Sequence, residues 1–363
     1  MSIVNIGSIC KIIGGSTPST KNNNLWKKEI PFYSLADLLI NVASRYISIE
    51  NNKFIDEPAI LFSSTATIGN VCYVEEKCWF NDQIKAFISK DSNVLNTKYL
   101  YYWFLNNKHI IKSQANKGSV FSSIGIKELV NMKINLPSIE EQNAIISIIE
   151  PIEKVINNIK NIKFKIESLV NKYFDFLYSN LEDSNFKKYI LGDLFTINRG
   201  QIINSKYIES NIGSYPVISS NTKNNGVFGY INSYMYDGEF ITISADGAYA
   251  GTVFLQNGRF SITNVCFILI KNNDIDFKFS NKFVYYILKK EQEVNKLKSQ
   301  VGSSRPAVRE YSLKEIKINL PNIEIQEKFS KIVEPLLNLS TKANKIEKIL
   351  NDSLLKITKK LIV

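Results

Sequence analysis

Two stretches of the chain carry apolar residues at spacings that alternate between three and four. The first runs through Ile145, Ile148, Ile152, Val155, Ile159, Ile162, Ile166, Leu169, Tyr173 and Phe176. The second runs through Phe329, Ile332, Leu336, Leu339, Ala343, Ile346 and Leu350, then Leu354, Ile357 and Leu361 after a slip near Ser353. A heptad seam sustained over about four heptads predicts a long helix in a coiled coil. The spacing predicts Ile145, Ile152, Ile159 and Ile166, with Leu336, Ala343, Ile346 and Leu350, as the core between the two helices. Ser138-Ile139-Glu140-Glu141 fits a capping box at the start of the first, and Asn322 is placed to cap the second. Pro151 and Pro335 lie inside the seams, where a proline is expected to bend a helix or to split it.

Elsewhere the period is shorter. Ala59-Ile60-Leu61-Phe62, Val71 to Val74 and Ala86 to Ile88 read as strands, with Gly69-Asn70 as a turn. Lys98 to Lys108 reads as a helix with a broad apolar face. The same order returns later. Phe240 to Ile243, Thr252 to Leu255 and Cys266 to Ile270 are strand-like, Gly251 and Gly258 punctuate them, and Lys282 to Leu297 is the matching helix.

The return is a duplication. Met132-Lys133-Ile134-Asn135-Leu136-Pro137 recurs as Ile316-Lys317-Ile318-Asn319-Leu320-Pro321, an offset of 321 − 137 = 184 residues. Gly118-Ser119 with Gly302-Ser303, Gln142 with Gln326, and Glu150-Pro151 with Glu334-Pro335 keep that offset; Ile6-Gly7 pairs with Leu191-Gly192 at 185. A repeat this long is a whole domain plus a linker and not a solenoid unit. The expected division is 1–136 (first globular domain), 137–183 (first helical spacer), 184–320 (second globular domain) and 321–363 (second spacer). The expected fold class is α+β: two similar mixed α/β domains joined by two long antiparallel helices, a dumbbell with a pseudo-two-fold axis. A duplicated binding module suits a partner with two related sites.

Composition is that of a globular chain, with 44% hydrophobic and 12% aromatic residues. No apolar run is long enough to span a membrane, and Met1 to Asn5 lacks the pattern of a secretory leader, so a cytoplasmic protein is expected. Cys10, Cys72, Cys78 and Cys266 show no paired spacing and read as reduced, buried thiols. The net charge of +11 favours an anionic partner, nucleic acid before acidic membrane. Its weight is reduced by a Lys-, Asn- and Ile-rich composition with only five Arg, as an AT-rich coding sequence produces.

Catalytic chemistry finds little support. The chain has one histidine, His109, without an orienting motif, no Gly-Lys pair for a phosphate loop, no Pro-Pro-Tyr or Pro-Pro-Phe, and no Cys/His cluster. No cofactor and no metal are expected. DNA contact is the better reading of the polar loops. Lys21-Asn22-Asn23-Asn24 with Lys27, and Asn221 with Lys223 and Asn224, offer lysines for phosphates and asparagines for adenine edges. Lys117 and Ser119 occupy the loop that matches Ser303, Arg305 and Arg309; Arg199 completes the set, and Arg305 is favoured because its planar fork suits phosphate and guanine alike. Ser63-Ser64-Thr65 and Ser244-Ala245-Asp246 lie at corresponding strand ends, where capping roles compete with contact.

A duplicated α/β domain, a Leu-Pro followed by Gln at the start of each helix, and two heptad linkers together resemble the specificity (S) subunit of type I restriction–modification systems. Gly14-Gly15-Ser16-Thr17-Pro18, Ile30-Pro31-Phe32 and Ala36-Asp37-Leu38 carry the resemblance in the first copy. The second copy departs from it: Tyr215-Pro216-Val217-Ile218 has no clear Asp counterpart, and the Gly-Gly-x-Thr-Pro element is missing. The resemblance implies a non-catalytic subunit that reads a bipartite site in double-stranded DNA, one half per domain. It implies helices that set the gap and dock two methyltransferase (M) subunits, with restriction (R) subunits as further partners and no membrane. A coiled-coil scaffold and a self-contained DNA-modifying enzyme remain as alternatives.

Overall fold

A computed structural model describes residues 2–49, 53–113, 116–117, 122–221, 224–301 and 306–362. The chain divides into two compact units, Met1–Lys160 with Asn344–Val363, and Asn161–Ala343. Each is mixed α/β, as expected.

In the first unit the strands Cys10–Gly14, Ile84–Ser89, Ala59–Ser63 and Val71–Val74 form one antiparallel sheet in that order. Ser2–Asn5 pairs with Lys133–Leu136, the strand that feeds the long helix. A separate sheet holds Ile30–Tyr33, Arg45–Ile47 and Trp79–Phe80. The helix Thr97–Asn106 turns Tyr99, Leu100, Trp103 and Phe104 inward, so its aromatic run is core.

The second unit repeats this frame. Phe195–Arg199, Cys266–Lys271, Tyr236–Ser244 and Val253–Ile262 pair in the same order, and Phe186–Ile190 pairs with Lys317–Pro321. Its sheet then continues through Ile212–Ile218 and Val227–Ile231, so one sheet replaces the two of the first unit. The matching helix is two helices, Asn281–Lys290 and Gln292–Ser299, and not the single one expected. Gly258 does not end a strand; it lies within Val253–Ile262, opposite Gly238.

The long helices are Ile139–Ser179 (41 residues) and Ile323–Leu361 (39 residues). The first begins in the first unit and ends in the second; the second begins in the second unit and ends in the first. Neither proline splits its helix: Pro151 and Pro335 sit inside continuous elements. Ser138 and Glu141 make the reciprocal capping bonds at 3.1 and 3.3 Å, and Asn322 accepts from the Ile325 N–H at 3.1 Å.

The phase of the seam is corrected. Ile145, Ile152, Ile159, Leu336 and Leu350 are half-buried, and Ile166 and Ala343 are buried, but Ile346 is 49% exposed. The alternate seam positions Ile148, Val155, Ile162, Leu169, Phe176, Ile332 and Leu339 are exposed as well. The buried line of the first helix runs instead through Ile146, Ile149, Ile156, Val170 and Phe174. The reason is that each helix packs on a globular core and not only on a second helix. Ile146 and Ile149 share a cluster with Trp103, Leu136 and Ile362, and Val170 and Phe174 share one with Phe283, Phe329 and Val333. A helix on a globular core buries a wider arc than a two-helix seam does.

The four cysteines are free and buried, and burial pushes their thiols up to about 12. No helix among the described residues is long and apolar enough to cross a membrane.

Candidate nucleic-acid interface

The duplicated glutamine is a structural tie. Gln142 is fully buried; its Nε2 donates to the carbonyls of Val94 (2.9 Å) and Pro137 (3.0 Å), and its Oε1 accepts from the Asn96 N–H at 2.8 Å. Gln326 repeats this with the Pro321 carbonyl and the Ser280 N–H, both at 2.8 Å. Asn96 and Ser280 in turn cap the helices that begin at Thr97 and Asn281. One amide therefore locks the start of each long helix to the strand before it and to the cap of a core helix.

A second duplicated lattice lies at one end of each sheet. In the first unit Gly15 N–H donates to the Ile84 carbonyl (3.2 Å), Ser16 N–H to Phe80 (3.0 Å), Ser64 N–H to Gln83 (2.9 Å) and Ile124 N–H to Ser64 (2.9 Å). In the second, Gly200 donates to Cys266 (3.3 Å), Gln201 to Ile262 (3.2 Å), Ala245 to Val265 (2.9 Å) and Val308 to Ala245 (2.8 Å). The chain comes so close here that a Cβ on Gly15 would sit 2.0 Å from the Asn81 carbonyl oxygen, and one on Gly200 would sit 2.1 Å from that of Ile262. So part of the glycine motif survives in the second copy as Gly200, which the sequence comparison missed because the flanking residues differ.

This corner gathers part of the predicted set. The bridges Thr65 to Ser123 and Asp246 to Ala307 clamp the loop before each linker strand onto a strand end. In the second unit, Arg199 ends its strand here. Its Nη1 donates to the Asn264 carbonyl at 3.1 Å and lies 3.6 Å from Asp246 Oδ2, and its guanidinium sits 4.7 Å from the Phe267 ring centroid. Arg309, exposed, follows Val308 of the same lattice. Asn221 follows Ser220, whose hydroxyl donates to the Val265 carbonyl.

Ser63 and Ser64 are buried and spend their hydroxyls on the Thr67 and Gln83 carbonyls, which makes them capping residues. His109 is exposed on the helix Lys108–Ser113.

The other candidates lie apart. Lys21, Asn22, Asn23, Asn24 and Lys27 are all exposed on a loop pinned by Trp26, whose Nε1 donates to the Ser19 carbonyl at 3.1 Å. Asn22 is partly committed, since its Oδ1 accepts from the Asn24 N–H at 3.1 Å. Asn224 is exposed with a φ of 51°, in a left-handed turn. Asp37, the aspartate the resemblance singled out, is buried and accepts from the Ser34 N–H and hydroxyl at 2.7 Å, which makes it a turn-fixing residue. The backbone of Lys117 pairs with Ser122, but its side chain lies outside the described residues, as do Ser119, Lys223, Ser303 and Arg305.

The type I restriction modification DNA specificity domain family matches residues 1–168 and again 183–351. The chain belongs to that family, as its duplicated motifs led us to expect. It is 39% identical over 149 residues to the type I specificity subunit S.MpnORF285P of Mycoplasma pneumoniae, covering 41% of this chain and 47% of that one. The chain thus spans about half the length of such relatives. It is also 23% identical over 374 residues to the EcoprrI specificity subunit of Escherichia coli, covering 95% and 89%. In fold it is similar to the crystal structure of a type I S subunit from M. genitalium, at a TM-score of 0.66 and 19% identity over 100% and 96% of the two chains.

Proposed function

We propose that the chain is the non-catalytic, sequence-reading subunit of a type I restriction–modification complex in the cytoplasm. Residues 1–136 and 184–320 each read one half of a bipartite site in double-stranded DNA, and the spacers 137–183 and 321–363 set the gap. The observation that carries this reading is the specificity domain occurring twice, at 1–168 and 183–351, with the same hydrogen-bonded corner built in each unit. The net charge of +11 supports a polyanionic partner. The contact set is Lys21, Asn22, Asn23, Asn24, Lys27, Lys117 and Ser119 in the first unit. In the second it is Arg199, Asn221, Lys223, Asn224, Ser303, Arg305 and Arg309.

Two M subunits dock on the helices, with R subunits as further partners. The apolar stripe Ile148, Val155, Ile162, Leu169 and Phe176 supports a protein partner there, because it repeats every seven residues and is exposed among the described residues. A helix of 41 residues is roughly 60 Å long, which makes it a stiff spacer between half-sites.

The test is selection from random duplexes by the complex purified from its host, followed by a salt titration. We expect enrichment of one split motif and an affinity that falls steeply with salt. Absence of an enriched motif, or binding indifferent to salt, contradicts the reading.

A further inference from the structure

The two corners hold a cation at the same place, but deliver it from different strands. By strand register Gly14 pairs with Lys85 in the first unit and Arg199 with Phe267 in the second. Gly14 and Arg199 are thus equivalent, and so are Lys85 and Phe267. Where the second unit puts an arginine over a phenylalanine, the first leaves a bare glycine and grows a lysine from the neighbouring strand. The two cations rest on equivalent backbone oxygens. Lys85 Nζ donates to the Asp82 carbonyl at 2.7 Å, and Arg199 Nη1 donates to the Asn264 carbonyl at 3.1 Å. Asp82 and Asn264 differ by 264 − 82 = 182 residues, the offset of Lys85 from Phe267, 267 − 85 = 182. The fold therefore keeps a positive charge at this point although no single aligned column does.

The two cations differ in what they can read. Among the described residues Arg199 spends only Nη1, on Asn264 and Asp246, so Nε and Nη2 retain their N–H donors. The carboxylate on one side and the Phe267 ring beneath fix the guanidinium plane, and the side chain is 37% exposed. A fixed planar fork suits the O6 and N7 acceptors of guanine, whereas a lysine ammonium is a point charge suited to phosphate. In the first unit the residue equivalent to Asp246 is the uncharged Thr65, and the acid beside Lys85 is Asp82 instead.

Resting on the DNA-reading function above, we propose that Arg199 is a specificity-determining residue that reads a guanine in the half-site of the second unit. Asp246 is its positioning residue, and Lys85 is its counterpart in the first unit, holding a phosphate without reading sequence.

The experiment uses the complete complex with the full chain, carrying Arg199→Ala, Arg199→Lys, Asp246→Asn or Lys85→Ala. The readouts are the bound-duplex motif at each position, the salt slope and the melting temperature. Arg199→Ala and Arg199→Lys should relax one guanine position in one half-site, with discrimination falling about 5- to 150-fold, and leave the other half-site intact. Asp246→Asn should relax the same position at an unchanged melting temperature. Lys85→Ala should leave the motif intact and lower the salt slope by about one. The proposal is overturned if Arg199→Lys, which keeps the charge and the packing stem, leaves every position as selective as before, or if Lys85→Ala relaxes a base position. A wild-type complex that enriches no motif overturns the underlying function instead.

Discussion

Gln142 and Gln326 show how much a single buried amide can organise. Each satisfies backbone groups of two segments that share no hydrogen-bonded ladder. Replacing either by alanine strands buried donors and acceptors, and should cost roughly 1–3 kcal/mol, read as a shift in chemical denaturation of the full chain. Glu153 makes a pH prediction. Burial raises its pKa, and the nearby Glu150 adds to this, against the Tyr102 hydroxyl, Lys98 and Lys160. Because the folded value lies above the ordinary 4.5, the folded state binds the proton more tightly than the unfolded chain does. The associated stability is fully present below 4.5 and is lost as pH rises through the folded value. Glu153→Gln keeps an acceptor for the Tyr102 hydroxyl and removes this dependence. Its stability relative to the parent should therefore rise from acid to neutral pH in paired denaturation curves. The repeated glutamine could be found in the sequence, but its role could not, since its partners are carbonyls with no side-chain signature. Lys85 was invisible for a related reason: its equivalence to Arg199 exists in strand register and not in alignment.

At the scale of elements, the long helices, their caps and the places of the core strands along the chain were legible, because each has a local cause in periodicity or capping chemistry. The phase of the seam was not. Isoleucine, valine and phenylalanine occupy both the buried and the exposed lines of the first helix, so spacing alone could not say which faces the core. What decides is the globular core that claims Ile146, Ile149, Val170 and Phe174. The consequence is a clear contrast in mutational cost. Phe174→Ala should destabilise by about 3–5 kcal/mol. Ile162→Ser and Leu169→Ser, at 47% and 54% exposure, should change stability by no more than about 0.5 kcal/mol. If the exposed stripe is the seat of the M subunits, these two serine variants should also lose co-purification with them while folding normally. Retained co-purification at normal affinity would move the docking surface elsewhere.

At the scale of the whole molecule, one domain has been copied and its frame kept while its periphery diverged. The four-strand order, the strand that feeds each helix and the corner lattice recur; the separate sheet Ile30–Tyr33, Arg45–Ile47 and Trp79–Phe80 has become an extension of the main sheet in the second unit. A frame that is held while its rim changes suits two readers of different half-sites. The spacer then has its own test. Adding one heptad to both helices keeps the buried face in phase and lengthens each by roughly 10 Å, so the gap in the recognised motif should grow while both half-sites stay the same. The proposed DNA-reading function is tested by the adenine methylation map of the host's genome, with the gene intact and deleted. With the gene deleted, methylation is expected to disappear at one split motif with a fixed gap, and only there. A map unchanged by the deletion, in cells where the chain is expressed together with the proposed M subunit, would rule that function out.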